Sequence, residues 1–350
     1  MSTSPRPQLD GLTAARGIAA WFVVLFHIRS GMPWLPADVL QVIHKGYLAV
    51  DFFFILSGFV IWLSASGEFT ARGLAATPAF LRRRLARIYP LYAVMLTLTV
   101  GFALLLEATG RSTAGYPWAE LPLHVLMLQN WGFTPDLSWN HPAWSISTEF
   151  AAYLLFPLLV LLFKPLARAP RWVIWGAIAC LIAALAAGML AMGYTNLGGH
   201  IVRSGLARCI AEFSIGCLLC ALWQQGVDRR SRIMAVLAVL AGSLGWASGF
   251  TNELVAFPLV TAALIYLIAD HSQRGGRIAR PLVYLGEISY ATYLSHFMLF
   301  IWFKIAFVDN AANIPPHRVA LFMLLTLAAS VILYHGVEKP GRRLAGRRQA

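Results

Sequence analysis

Charged side chains are scarce in this sequence. They make up 12% of its 350 residues, against 59% hydrophobic ones, and acids are the rarer sign, 15 Asp+Glu to 28 Lys+Arg. A soluble domain of this length carries roughly 25% charged residues, which excludes a water-soluble globular enzyme. Cysteine is also rare. Cys180, Cys209, Cys217 and Cys220 all fall in apolar runs. Cys217 and Cys220 stand three apart, but no His or acid joins them at zinc spacing. They read as small packing residues, and no metal is expected. Internal repeats and low-complexity tracts are lacking. The first apolar run follows a polar stretch and Arg16, with no small-residue cleavage site behind it, so no cleavable leader is expected. Neither end offers room for an appended soluble domain, and one transmembrane domain over 1–350 is expected.

What is abundant is continuous apolar sequence. The mean hydropathy is +0.66. Runs long enough to cross a hydrocarbon core, about 20 residues, lie at 17–31, 47–65, 88–107, 146–163, 172–192, 206–223, 233–249, 253–269, 285–304 and 318–336. They do not alternate polar and apolar as barrel strands must. The expected fold is an all-α, polytopic membrane helix bundle of about ten transmembrane helices with both termini cytoplasmic. The pair 233–249 and 253–269 is the weakest. The net charge of +13 agrees with that orientation. Only Arg29, Lys45, Arg111, Arg203, Arg208, Lys304 and Arg318 fall at outside ends or loops. The other Lys and Arg, including Arg6, Arg347 and Arg348, fall inside, as the positive-inside rule requires. The charge is therefore orientation, and no nucleic-acid partner is expected. The longest inside loop is expected at 66–87. The longest outside loop, 108–145, has the length of a lid or re-entrant segment.

Ionisable residues inside apolar spans are costly and mark functional sites by default. Arg16 and His27 are eleven residues apart, three helical turns plus about 20°, so they share a face roughly 16 Å apart in height. Asp51 enters the second span from outside at a depth near His27. A carboxylate there fixes an imidazole tautomer and raises its basicity. Glu149 enters the fourth span from outside, and Tyr293 and His296 share a face of the ninth. Arg84 and Arg87, also three apart, sit with Arg82 and Arg83 at the expected cytoplasmic mouth, where guanidinium forks suit phosphate. Each has a plainer reading. Arg16 is a snorkelling topology marker, His27 a packed histidine, Asp51 a cap or a partner of Lys45. Ser57 and Gly58 allow close helix approach, the arginines bind lipid headgroups, and Glu338 and its neighbours are interfacial. The spacing points to an anionic ligand from inside and acid–base chemistry nearer the outside.

Six motifs in order resemble the membrane acyltransferase-3 family. They are Leu9-Asp-Gly-Leu-Thr-Ala-Ala-Arg16 continuing to His27, Val50-Asp51-Phe-Phe-Phe-Ile-Leu-Ser57-Gly58, Arg84-Leu-Ala-Arg87, Trp144-Ser145-Ile-Ser147-Thr-Glu149, Gly286-Glu-Ile-Ser289-Tyr290-Ala-Thr-Tyr293-Leu-Ser-His296, and Val337-Glu338-Lys339-Pro340-Gly-Arg342-Arg343. After Glu149 many members carry a second acid and a Gln, where this chain has Phe150 and Ala151. The resemblance implies transfer of an acyl group, usually acetyl, from acyl-CoA to a saccharide or glycolipid hydroxyl in a bacterial inner membrane, with acyl-CoA as co-substrate, no permanently bound cofactor and lipids as surroundings. It also implies roles. Arg84 and Arg87 hold the donor's phosphates and Arg16 its pantetheine arm or carbonyls. His27 is the general base, or less favourably the acyl carrier. Asp51 orients His27, and Glu149 binds sugar or relays a proton. Trp144, Ser147, Tyr293 and His296 fall to the acceptor. The rival reading is a transporter or flippase for a glycan or lipid. It also needs intramembrane charge, but no inverted repeat or broken-helix pair is evident.

Overall fold

A computed structural model describes residues 9–346; Arg6, Arg347 and Arg348 lie outside the described residues. Within them no strand occurs, and the chain forms fourteen α-helices. The first half holds α1 (Asp10–Ile28), α2 (Ala37–His44), α3 (Ala49–Arg72), α4 (Thr77–Ala108), α5 (Leu121–Val125), α6 (Ala143–Leu166) and α7 (Arg171–Ala191). The second half holds α8 (Ile201–Gln224), α9 (Arg229–Ala247), α10 (Glu253–Gln273), α11 (Arg280–Glu287), α12 (Ser289–Phe307), α13 (Pro316–Leu333) and α14 (Lys339–Gly346).

Each of the ten apolar runs contains one long helix, and the run 285–304 also crosses a break at Ile288 between α11 and α12. Seven stretches are long and apolar enough to cross a membrane: Asp10–Gly31, Ala37–Ala108, Ala143–Leu166, Arg171–Ala191, Ile201–Gln224, Glu253–Gln273 and Pro316–Arg343. The second contains both α3 and α4, so these stretches hold all the expected spans except α9 and α12. Helix α9 opens with Arg229, Arg230 and Arg232, and α12 carries Ser289, Tyr290, Thr292, Tyr293, Ser295 and His296. Polar content lowers α12 for the same reason that makes it interesting.

Local chemistry sets the helix ends. Asp228 caps α9 through Ser231 N at 2.8 Å, and Asn252 caps α10 through Val255 N at 3.2 Å, each satisfying an N–H that a first turn leaves free. The expected inside loop at 66–87 is not a loop. Helix α3 runs to Arg72, a 3-10 turn spans Gly73–Ala76, and α4 starts at Thr77 with Pro78 in its first turn. Gly73 makes that reversal at φ 56°, which an L side chain tolerates poorly.

The centre of the bundle is the α3–α8 contact. A Cβ on Gly58 would lie 1.9 Å from Phe213 O, and one on Gly216 would lie 2.0 Å from Ile55 O. The two backbones therefore touch, as small residues allow where no hydrophobic force drives helices together. Cys217 Sγ lies 3.5 Å from Gly58 O, and Cys209 and Cys220 pack in the same core. The segment 109–142 is an ordered cap. Asn140 Nδ2 donates to Leu294 O at 3.0 Å, Gln129 Nε2 to Ala143 O at 3.1 Å, and Trp139, 1% exposed, donates through Nε1 to Pro117 O at 3.2 Å.

Candidate active site

A cavity of about 130 Å³ lies between α1, α3, α4, α6 and α12. Arg16, Arg84, Arg87 and Glu149 supply its charges, and Ser145, Phe53 and Tyr293 also line it. The motif pairs Arg16 and Arg84/Arg87, far apart in sequence, thus meet in one chamber.

Arg16 is fixed by a break in the opposite helix. Helix α11 ends at Glu287 and α12 starts at Ser289, which leaves Gly286 O outside the helical ladder. Arg16 Nε donates to that oxygen at 3.1 Å and to Ser289 Oγ at 2.9 Å, and Nη2 donates to Gly286 O at 2.7 Å. A guanidinium at a helix C-terminus also meets the negative end of its dipole. The close approach is possible because residue 286 has no side chain; a Cβ there would lie 1.8 Å from Thr13 O. The snorkelling reading of Arg16 is replaced by this cross-link of α1 to the α11–α12 joint.

Glu149 lies in the arginine chamber and not beside His27. Its Oε1 accepts hydrogen bonds from Ser57 Oγ and from Tyr153 OH, the latter at 2.7 Å. Arg84 Nε is buried with no hydrogen-bond partner among the described residues. Three guanidiniums therefore face one carboxylate that two hydroxyls already engage. Glu338, expected at the interface, is instead 1% exposed. It is paired with Arg342 and within electrostatic reach of Arg87 and Arg16. The wide helical turn Tyr334–Glu338 swings this carboxylate inward. Such turns offset a helix face by one residue, so regular spacing did not reveal it.

The expected Asp51–His27 pair is not formed. Asp51 Oδ1 accepts from Arg208 Nε at 3.1 Å and Nη2 at 2.6 Å, and both side chains are buried. Glu212, one helical turn from Arg208, is fully buried as well, and neither of its carboxylate oxygens has a hydrogen-bond partner among the described residues. Lys45, the other partner considered for Asp51, binds Glu253 at 2.7 Å instead. From the sequence Arg208 reads only as one of the outside charges and Glu212 is not singled out, although both stand inside the apolar run 206–223, a costly place for a charge.

His27 instead meets His296. His27 Nδ1 lies 2.9 Å from Val23 O and 3.2 Å from His296 Nε2, and His296 Nδ1 lies 2.6 Å from Tyr293 O. Carbonyl oxygens only accept, so both Nδ1 atoms carry hydrogen. That leaves His296 Nε2 as acceptor of His27 Nδ1–H, and Nε2 of His27 with a lone pair and no hydrogen bond to any described residue. Neither histidine lines the 130 Å³ cavity. Tyr293 stands between, in the cavity wall, with its ring centroid 6.0 Å from that of His296 and 5.8 Å from that of Phe53.

Two residues assigned to the acceptor have other partners. Ser147 is buried, donates to Met127 O at 2.8 Å and accepts from Asn130 N at 3.2 Å, so it pins the 109–142 cap. Trp144 is buried over Arg208, whose guanidinium carbon lies 5.7 Å from the ring centroid, and is no open sugar platform. Tyr293 does line the cavity, where its hydroxyl meets Ser145 Oγ at 2.8 Å and Pro142 O at 3.1 Å. Among the described residues no group of three or more His, Cys, Asp or Glu converges to hold a metal.

Comparison with known sequences decides the family. The acyltransferase-domain family profile matches residues 9–335, nearly the whole chain. The chain belongs to the acyltransferase-3 family. This family member is 30% identical to acyltransferase MdmB of Streptomyces mycarofaciens, over 98% of its own length and 94% of that protein. It is 25% identical to O-acetyltransferase OatA of Staphylococcus aureus over 97% of its length, spanning 58% of the longer OatA. No solved structure matches it. With its long apolar helices and this family membership, the acyltransferase is an integral membrane protein.

Proposed function

We propose that this acyltransferase moves an acyl group, acetyl in the first instance, from cytoplasmic acyl-CoA to a hydroxyl of a saccharide or glycan-type acceptor. The O-acetyltransferase name of OatA supports the hydroxyl acceptor. One observation carries the donor side: Arg16, Arg84 and Arg87 line one cavity whose lining holds a single carboxylate, Glu149, already hydrogen-bonded by Ser57 and Tyr153. An excess of partly buried guanidinium charge along one cavity favours an anion there, and a phosphate-bearing thioester supplies one. In this reading Arg84 and Arg87 hold donor phosphates. Arg16, its Nε and Nη2 bound by Gly286 O and Ser289, holds its charge toward the donor's pantetheine arm, about three helical turns from His27. His27 is the general base, through its unengaged Nε2. Both chain ends face the cytoplasm of a bacterial inner membrane.

The test is acetyl-CoA turnover by purified protein in detergent, read as free thiol. His27→Ala is expected to lose turnover by about 100-fold or more while still binding acetyl-CoA. Arg84→Ala with Arg87→Ala is expected to weaken acetyl-CoA binding. Full turnover by folded His27→Ala removes the base. Unchanged donor affinity in the double variant returns these arginines to lipid contacts.

A further inference from the structure

We propose that His296 is the positioning residue of His27, taking the place that an acid fills in most histidine bases. The proposal rests on the reading of His27 as general base. The groups facing His27 are few. His296 comes from α12, and Arg29, the residue that ends α1, is the next charged group along the same segment. His141 comes from the 109–142 cap, stacked on Phe297 at 4.8 Å, with the Phe297 ring 5.6 Å from that of His27. Asp51, the nearest acid in the sequence argument, is consumed by Arg208. Among the described residues, the only partners of His27 Nδ1 are Val23 O and His296 Nε2.

The chain of hydrogen bonds has one polarity. Tyr293 O fixes the proton of His296 on Nδ1, so His296 Nε2 presents a lone pair. That lone pair and Val23 O fix the proton of His27 on Nδ1, so Nε2 of His27 is the free base. In the transfer step, His27 Nε2 takes the acceptor hydroxyl proton while the acceptor oxygen bonds to the acyl carbon. The C–S bond then breaks, and the leaving thiolate takes the proton back from His27. Between those events His27 is an imidazolium, and its Nδ1–H donates more strongly to its two acceptors. His296 thus stabilises the charged form without touching substrate. A neutral partner does this where Asp51 is held by Arg208 and Glu149 by Ser57 and Tyr153. Tyr293 links the assembly to the donor chamber, since its carbonyl orients His296 while its ring lines the cavity.

The discriminating variants are isosteres. Gln places its side-chain oxygen near the position of His296 Nε2, whereas Asn places its polar atoms near Nδ1. His296→Asn and His296→Leu are expected to lower kcat for acetyl-CoA turnover about 10–100-fold, with KM for acetyl-CoA unchanged, and His296→Gln is expected to recover most of the loss. Equal kcat in folded Gln and Asn variants overturns the proposal, as does wild-type kcat in His296→Leu. If His27→Ala is inactive while His296→Asn is fully active, the positioning role falls and the base stands. If His27→Ala is fully active, both fall. Nitrogen-15 NMR of histidine-labelled protein gives a reading independent of substrate: an unprotonated Nε2 on His27 is expected, and a protonated Nε2 with bare Nδ1 overturns the assignment.

Discussion

Asp51 and Arg208 lie 157 residues apart and are buried against each other. A buried ion pair gains little over an apolar one of equal shape, but breaking it by removing one partner is expensive, because the other charge is left without water or counter-ion. Arg208→Met is therefore expected to cost about 3–5 kcal/mol, read as a lower Tm in detergent. Adding Asp51→Asn to Arg208→Met is expected to recover part of that loss, since no unpaired carboxylate then faces Glu212. Glu212→Gln is expected to stay within about 1 kcal/mol of wild type, because neither Glu212 oxygen has a hydrogen-bond partner to lose. The two arginine motifs and His27 were legible in the sequence, because rare charges in apolar runs stand out. Their partners were not. Asp51 prefers Arg208 over His27 because a guanidinium fork offers two hydrogen bonds and a full charge, and a choice between partners across 150 residues leaves no periodic trace.

At the scale of elements, hydropathy placed every long helix and misjudged what joins them. A helix needs only local sequence, and so does a membrane run, so the ten segments were readable. The reversal at 66–87 and the inward turn at Glu338 depend on backbone geometry that polar composition does not report. The α3–α8 contact shows what holds the segments once formed. Lipid tails are as apolar as Leu, so helix association relies on close packing, here through Gly58 and Gly216. The same stretch of α3 presents Ser57 to Glu149. Gly58→Val is expected to push α3 from α8 and fail to accumulate as folded protein. Gly67→Ala, on the same helix with nothing within 4 Å of its added Cβ, is expected to keep wild-type abundance and turnover. Quantitative immunoblotting of membranes, with acetyl-CoA turnover per folded molecule, separates the two. Equal abundance of both variants would mean the α3–α8 contact has slack that the touching backbones deny.

Across the whole molecule, the proposed reaction needs a direction, and charge supplies it. Arg274, Arg277 and Arg280 follow α10, whereas beyond α12 Asp309 pairs at 2.9 Å with Arg318 in the first turn of α13. A cluster of arginines stays on the cytoplasmic side during insertion even where one is paired, as Arg274 is with Asp270 at 2.9 Å, so the α10–α11 turn is expected inside and the α12–α13 turn outside. That places the α11–α12 joint, and Arg16 bound to it, toward the donor compartment, and sets His296 of α12 further along toward the acceptor. Single cysteines report this. Cys209, Cys217 and Cys220 are buried and Cys180 is the one exposed thiol, so Cys180→Ser gives a quiet background. On intact cells a membrane-impermeant maleimide is expected to label Asn310→Cys and to spare Gln273→Cys until the membrane is opened. The reverse pattern would invert the bundle, put the arginine chamber at the outer face and require a donor other than a cytoplasmic thioester. Labelling of both sites from outside would mean that the helices between Gln273 and Asn310 cross an even number of times, and α11–α12 would then be a re-entrant pair carrying Arg16's anchor and His296 back to one side.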